Sequence, residues 1–255
     1  MTPAYMKLVG TYDIWFVILS YVVSVFGSFT ALELAGRVIE EAHKTKRLLW
    51  IVAAAVAMGG GGIWSMHFIA MLAFKLPIPV NYDIAMTVAS LVAAIVVTGV
   101  GLFIVTGKDL SMSRLCAAGV FVGVGVCTMH YIGMEAMQMA ATLEYDPLIF
   151  ALSFVVAIVV ATVGLLLMVT MRQGIQRVIS AFVIAFAVSG MHYTGMFGTT
   201  CVPTFSPGQN EVAVTISPNM MAGSIAAATA GVLLLSLLLS FTAKRKGGIP
   251  APSVT

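Results

Sequence analysis

The chain has 255 residues, of which 60% are hydrophobic and 9% charged, with a mean hydropathy of +1.04. A water-soluble core of this size has no use for so much apolar surface, so the composition excludes a soluble globular domain and describes an integral membrane protein. The net charge of +3 is small and no basic stripe carries interleaved aromatics, which excludes a nucleic-acid partner.

Seven apolar runs, bounded by charged or Pro-rich segments, are each long enough to cross a hydrocarbon core of ~30 Å. They cover approximately residues 14–35, 48–72, 84–106, 115–139, 148–170, 178–199 and 220–242. The first is too long for a signal-peptide core and has no small-x-small cleavage site before Gly36, so it is expected to be a retained helix.

The basic residues fix the expected orientation. Arg37, Lys44, Lys46 and Arg47 follow the first run, Lys108 and Arg114 the third, Arg172 and Arg177 the fifth, and Lys244, Arg245 and Lys246 the seventh. Eleven of the 13 basic residues therefore share one side, leaving Lys7 and Lys75 on the other. The positive-inside rule places the amino terminus outside and the carboxy-terminal tail, 243–255, in the cytoplasm. The outer connections carry acids and prolines: Pro77, Pro79 and Asp83; Glu144, Asp146 and Pro147; and Pro203, Pro207, Glu211 and Pro218 in the longest loop. Glu33, near the inner end of the first run, has Arg37 four residues on as an expected partner. Cys116, Cys127 and Cys201 fall at three different depths, so no disulfide is expected.

One short stretch is written three times, as Met66-His67-Phe68-Ile69-Ala70-Met71, Met129-His130-Tyr131-Ile132-Gly133-Met134 and Met191-His192-Tyr193-Thr194-Gly195-Met196. Each copy lies near the outer end of an outward-running span, where an ionisable residue points to function. The copies begin 63 and then 62 residues apart, the length of two helices with their loops. The expected fold is thus an all-α membrane protein in one domain, 1–255: seven transmembrane helices, one N-terminal helix followed by three parallel two-helix repeats about a pseudo-threefold axis. Glycines near the copies (Gly59 to Gly62; Gly119, Gly123 and Gly125; Gly190, Gly195 and Gly198) would let three His-bearing helices approach.

Positions i and i+4 share a helix face, so His67 with Met71, His130 with Met134 and His192 with Met196 each pair an imidazole with a thioether. Thioether is a soft ligand that favours Cu(I), imidazole suits copper in both oxidation states, and neither adds charge for the membrane to solvate. Copper is the expected cofactor, with haem as the alternative. Met66, Met129 and Met191 point about a quarter-turn away, where they would pack or hold a second ion. Cys127, three residues before His130, is a further candidate ligand, and Glu135, Asp83 and Asp13 are either partners for the imidazole N–H groups or interfacial charges. His43, in a charged loop, receives no role.

Met191-His192-Tyr193-Thr194 is a literal Met-His-Tyr-Thr, and the chain resembles the MHYT family of bacterial integral membrane sensor domains along nearly its whole length. The resemblance implies seven spans in the bacterial inner membrane, copper held by Met and His residues, and sensing of a diatomic gas such as O2, CO or NO. The first copy has Phe68 and Ile69 and the second Ile132, so the family's Tyr and Thr are not required in every copy. Family members often carry cytoplasmic cyclic-di-GMP domains, whereas about 13 residues follow the seventh run here, which implies a separate signalling partner. The leading expectation is a non-enzymatic membrane sensor of gas or redox state. The alternatives are copper transport or metal insertion, and a membrane oxidoreductase with a His-ligated metal or haem.

Overall fold

The computed structural model describes residues 7–107, 110–171, 173–204 and 214–242, and the side chains of the last helix as far as Val232, together with Leu234. Lys108, Arg172, Pro207, Glu211 and the tail 243–255 with Lys244, Arg245 and Lys246 lie outside the described residues.

Helices dominate the described chain: α1 (Ile14–Glu40), α2 (Lys44–Ala73), α3 (Ile84–Val105), α4 (Met112–Glu135), α5 (Pro147–Thr170), α6 (Gly174–Phe197) and α7 (Pro218–Thr242). The first six are long and apolar enough to cross a membrane, and the protein is a multi-pass membrane protein. Side chains supply the starts of several helices. Asp13, Asp83 and Asp146 each accept backbone N–H groups in the first turn of the helix that follows, and Ser111 does so for α4. Pro147 opens α5, where its missing N–H costs nothing.

The helices are inverted relative to those of a soluble protein. On α3, Val88, Val92, Val96 and Phe103 are exposed, while Ser90, Ala94, Thr98 and Gly101 are buried. In lipid, large apolar groups gain nothing by turning inward, so close contact between small residues holds the bundle together. α2 contains the tightest case. Its segment Val56–Trp64 is π-helical and includes Gly59 to Gly62, all buried. A Cβ on Gly59 would lie 2.5 Å from the Ala94 carbonyl oxygen of α3, and one on Gly27 of α1 would meet the backbone of Gly62. Ser65 closes the last wide turn at the Gly60 carbonyl, donating its backbone N–H and also, at 2.9 Å, its hydroxyl.

The sequence offered loops where the structure has a stitched β cap. Strands β1 (Thr11–Tyr12) and β2 (Phe74–Lys75) pair, β3 (Asn81–Asp83) lies between β4 (Met137–Gln138) and β7 (Thr215–Ile216), and β5 (Ala141–Tyr145) pairs with β6 (Thr199–Pro203), all antiparallel. Every strand lies at the end where the Met-His copies lie. The strand β4 explains why α4 stops at Glu135 and not at 139: Met137 leaves the helix to pair with Tyr82.

At the opposite end, Glu33 accepts a 2.5 Å ion pair from Arg177 of α6, a partner 144 residues away rather than the local Arg37. Arg37 instead sets its guanidinium 5.0 Å over the Trp50 ring. Arg47 donates to the Thr106 carbonyl and Arg114 to that of Ile104 at 2.7 Å, so arginines satisfy the last carbonyls of α3.

Candidate metal centre

The three copies of the motif occupy the last turns of α2, α4 and α6, and one backbone hydrogen bond recurs beside each. Asp13 N–H donates to Ala73 O at 2.9 Å, Asp83 to Ala136 O at 2.8 Å and Asp146 to Gly198 O at 2.8 Å. Each accepting carbonyl lies six residues after the histidine of its copy. The same tie therefore fixes the end of each motif-bearing helix to the start of the helix before it. This accounts for Asp13 and Asp83: their carboxylates cap α1 and α3, Asp83 accepting from Met86 N–H at 2.8 Å.

Fixed at one level, His67, His130 and His192 converge, each no more than 1% exposed. Their Nδ1 atoms are mutually 3.1, 3.1 and 3.3 Å apart. The rings stand nearly edge to face, with centroids 4.9 to 5.1 Å apart. Behind each imidazole stands the aromatic residue that follows it, Phe68, Tyr131 or Tyr193, at 4.8 to 4.9 Å and nearly perpendicular. The aromatic position of the motif thus braces the ring. Tyr131 turns its hydroxyl to Ser153 at 2.9 Å, on α5.

The far side of each imidazole is unpartnered. The Nε2 atoms of His67, His130 and His192 are buried with no hydrogen-bond partner. His67 Nε2 lies against Gly133, and a Cβ on Gly195 would lie 2.5 Å from His130 Nε2. Gly133 escaped the sequence reading, although a glycine three residues after the histidine in both the second and third copies was the available signal.

This spacing suits one small cation. Nitrogens that hold an ion at ~2.0 Å lie about 3.3 Å apart on the face of a tetrahedron and about 3.5 Å apart in a trigonal plane. Without an ion, three inward Nδ1 atoms leave room for one proton at most, and the remaining lone pairs oppose one another. An ion at the centre would take all three lone pairs and place the protons on Nε2. Those N–H groups then lack acceptors, a cost of about 1–3 kcal/mol each that bonds to the ion must offset.

The other candidate residues are distributed around the triad. Met66, Met71, Met129, Met134, Met191 and Met196 are all buried. Met196 borders a cleft of about 360 Å³ toward the cap with Tyr12, Tyr193 and Cys201, whereas Met191 borders a separate apolar cavity on the inner side. Among the described residues no cysteine or carboxylate joins the three histidines. Ser153 commits its proton to Phe150 O at 2.7 Å, so it accepts from both Tyr131 and the Cys127 thiol, the latter at 3.3 Å. Glu135 accepts from Tyr145 at 2.7 Å in the cap. Burial, and next that carboxylate, push the Tyr145 phenol well above its usual range, and burial pushes Tyr12 up to about 12.

The family described as "bacterial signalling protein N terminal repeat", MHYT, matches residues 60–118 and again residues 123–181. The chain is an MHYT-repeat protein. It is 39% identical over 194 residues to the bifunctional diguanylate cyclase/cyclic di-GMP phosphodiesterase MucR of Pseudomonas aeruginosa, covering 74% of this chain and 28% of MucR. It is 33% identical over 192 residues to the cyclic di-GMP phosphodiesterase NbdA of the same organism (73% of this chain, 24% of NbdA). The signaling protein YkoW of Bacillus subtilis is 30% identical over 217 residues (82% of this chain, 27% of YkoW). The chain therefore spans about a quarter of the length of these relatives, and no solved structure matches it. The two matched MHYT repeats contain the copies at His67 and His130, while the third copy, at His192, follows them.

Proposed function

We propose that the protein is a membrane sensor whose His67, His130 and His192 hold a single copper ion near the extracytoplasmic face, and that the bound ion answers to a diatomic gas or to redox state. The observation that carries this reading is the convergence of three Nδ1 atoms at 3.1 to 3.3 Å inside an MHYT repeat protein. The donor set favours a monovalent ion. Three neutral imidazoles supply no counter-charge, and the Born cost of burying an ion grows with the square of its charge, so Cu(I) is held more cheaply than a divalent metal. The spacing leaves no room for a porphyrin between the rings, which sets haem aside.

Copper would supply an open coordination position and a one-electron couple. The residues do the remainder: the triad orients three lone pairs, Phe68, Tyr131 and Tyr193 hold the rings, and the buried methionines keep water away. Met71, Met134 and Met196 are proposed as supplementary thioether ligands. A change in the triad would shift how α2, α4 and α6 pack and would be read by a cytoplasmic or membrane signalling partner. The named activities of MucR and NbdA suggest a partner that makes or breaks cyclic di-GMP.

The test is metal analysis of protein purified in detergent, followed by spectroscopy under CO and O2. The parent should hold close to one copper per chain and His192→Ala should not. A parent without copper, or a His192→Ala protein that binds it equally, would sink the reading.

A further inference from the structure

On the membrane side of the triad lies a cavity of about 40 Å³, lined by residues of α2 to α6. It runs from Met191, next to His192, down to Met168, two residues before the end of α5. We infer that this cavity is a binding chamber for one small apolar molecule of diatomic size, held against the third motif through Met191. The chamber deepens the sensor reading by giving the apolar ligand a place to wait, and rests on that reading for its purpose only, not for its occupancy.

Size and polarity carry the inference together. A cavity with ~10–15 Å³ of such volume admits a water molecule, so this one has the room; a buried water also needs two to four polar partners. Thr98 supplies the hydroxyl among the lining residues, and it already donates to Ala94 O in its own helix at 2.7 Å. The remainder of the wall is aliphatic or thioether, including Met58, Val122, Ala157 and Val188. Water therefore gains nothing by entering, whereas an apolar molecule exchanges hydrocarbon for hydrocarbon and brings no desolvation cost. The volume restricts the occupant to a few atoms.

Gly164 is the residue that keeps the chamber open. It lines the cavity, is buried, and a Cβ built on it would meet nothing within 4 Å. A side chain there fills space without a clash. Gly223 on α7 is equally unobstructed but exposed and away from the cavity, so it serves as a control.

Xenon is the probe, because it enters dry apolar cavities and needs no metal. Xenon NMR on the full chain in detergent should show one saturable site. Gly164→Ala should weaken it, Gly164→Leu should abolish it, and Thr98→Val and Gly223→Leu should leave it intact. Thermal unfolding of each variant identifies any that fail to fold, and Gly164→Ala is conservative enough to keep the comparison. His192→Ala protein, without the proposed copper centre, should still take up xenon, so a failed metal reading and a failed chamber are told apart. Absence of saturable binding in the parent, or unchanged binding in Gly164→Leu, overturns the inference.

Discussion

The imidazole of His67 reaches across to α4 and sets its Nε2 atom against Gly133, where a Cβ would overlap it. His130 stands in the same relation to Gly195 on α6. Glycine is thus required by the ring that faces it. Gly133→Ala and Gly195→Ala should each displace an imidazole, lower copper loading and cost about 1–3 kcal/mol of stability through overpacking. Metal content and thermal unfolding of the purified variants would check both effects, and full loading in both would mean that the rings have freedom the geometry denies them.

The proposed thioether ligation would separate methionines that burial does not. Met134→Leu keeps volume and apolarity while deleting the sulfur, so it should weaken Cu(I) on the order of tenfold or more with little loss of fold stability. Met129→Leu should matter less, its side chain leaving the shared face by about a quarter-turn. Competition against a Cu(I) chelator gives the ratio, and equal affinities for the two variants would assign both methionines to packing.

The expected sidedness rests on the basic residues. Glu144→Cys in the cap and Gln173→Cys between α5 and α6 are both at exposed positions. A membrane-impermeant maleimide applied to intact cells should label the first and spare the second. The reverse pattern would invert the bundle and move the triad to the cytoplasmic face.

The Glu33–Arg177 pair tests how α1 is held to α6. Arg177 is 7% exposed and its Nε atom has no partner, so the pair is only partly satisfied. Glu33→Ala alone should destabilise the protein by about 3 kcal/mol by stranding a buried guanidinium, whereas Glu33→Leu with Arg177→Met should recover most of that loss. Unfolding midpoints of the single and double variants in one detergent decide it.

Much of this arrangement was legible in the chain because it is repeated. Three Met-His copies 63 and then 62 residues apart suggested three histidines at one level, and the first six apolar runs each fall on a helix long and apolar enough to cross a membrane. The cap was not legible: strands of two to five residues such as β4 and β5 carry too few positions for alternation to register. Neither was the partner of Glu33, since i+4 spacing suggests Arg37 and only tertiary packing brings Arg177 across 144 residues. Asp13 and Asp83 were conspicuous as charges near the motifs, yet their backbone N–H groups bear on the site more than their carboxylates do, and backbone donors leave no mark in composition.

Those recurrent ties at Ala73, Ala136 and Gly198 make the capped ends of the motif helices fulcrums. His130 sits six residues, about 9 Å, below its fulcrum on a helix of 24 residues, about 36 Å long. Opening the triad from its present spacing to a trigonal plane around an ion moves each nitrogen outward by about 0.2 Å. A rigid rod pivoting at the cap multiplies that about fourfold, so the far tips would swing by close to 1 Å. In the proposed sensor, helix interfaces would convert shifts of that size into a signal, and the gain would come from leverage along the helix and not from any large motion at the triad.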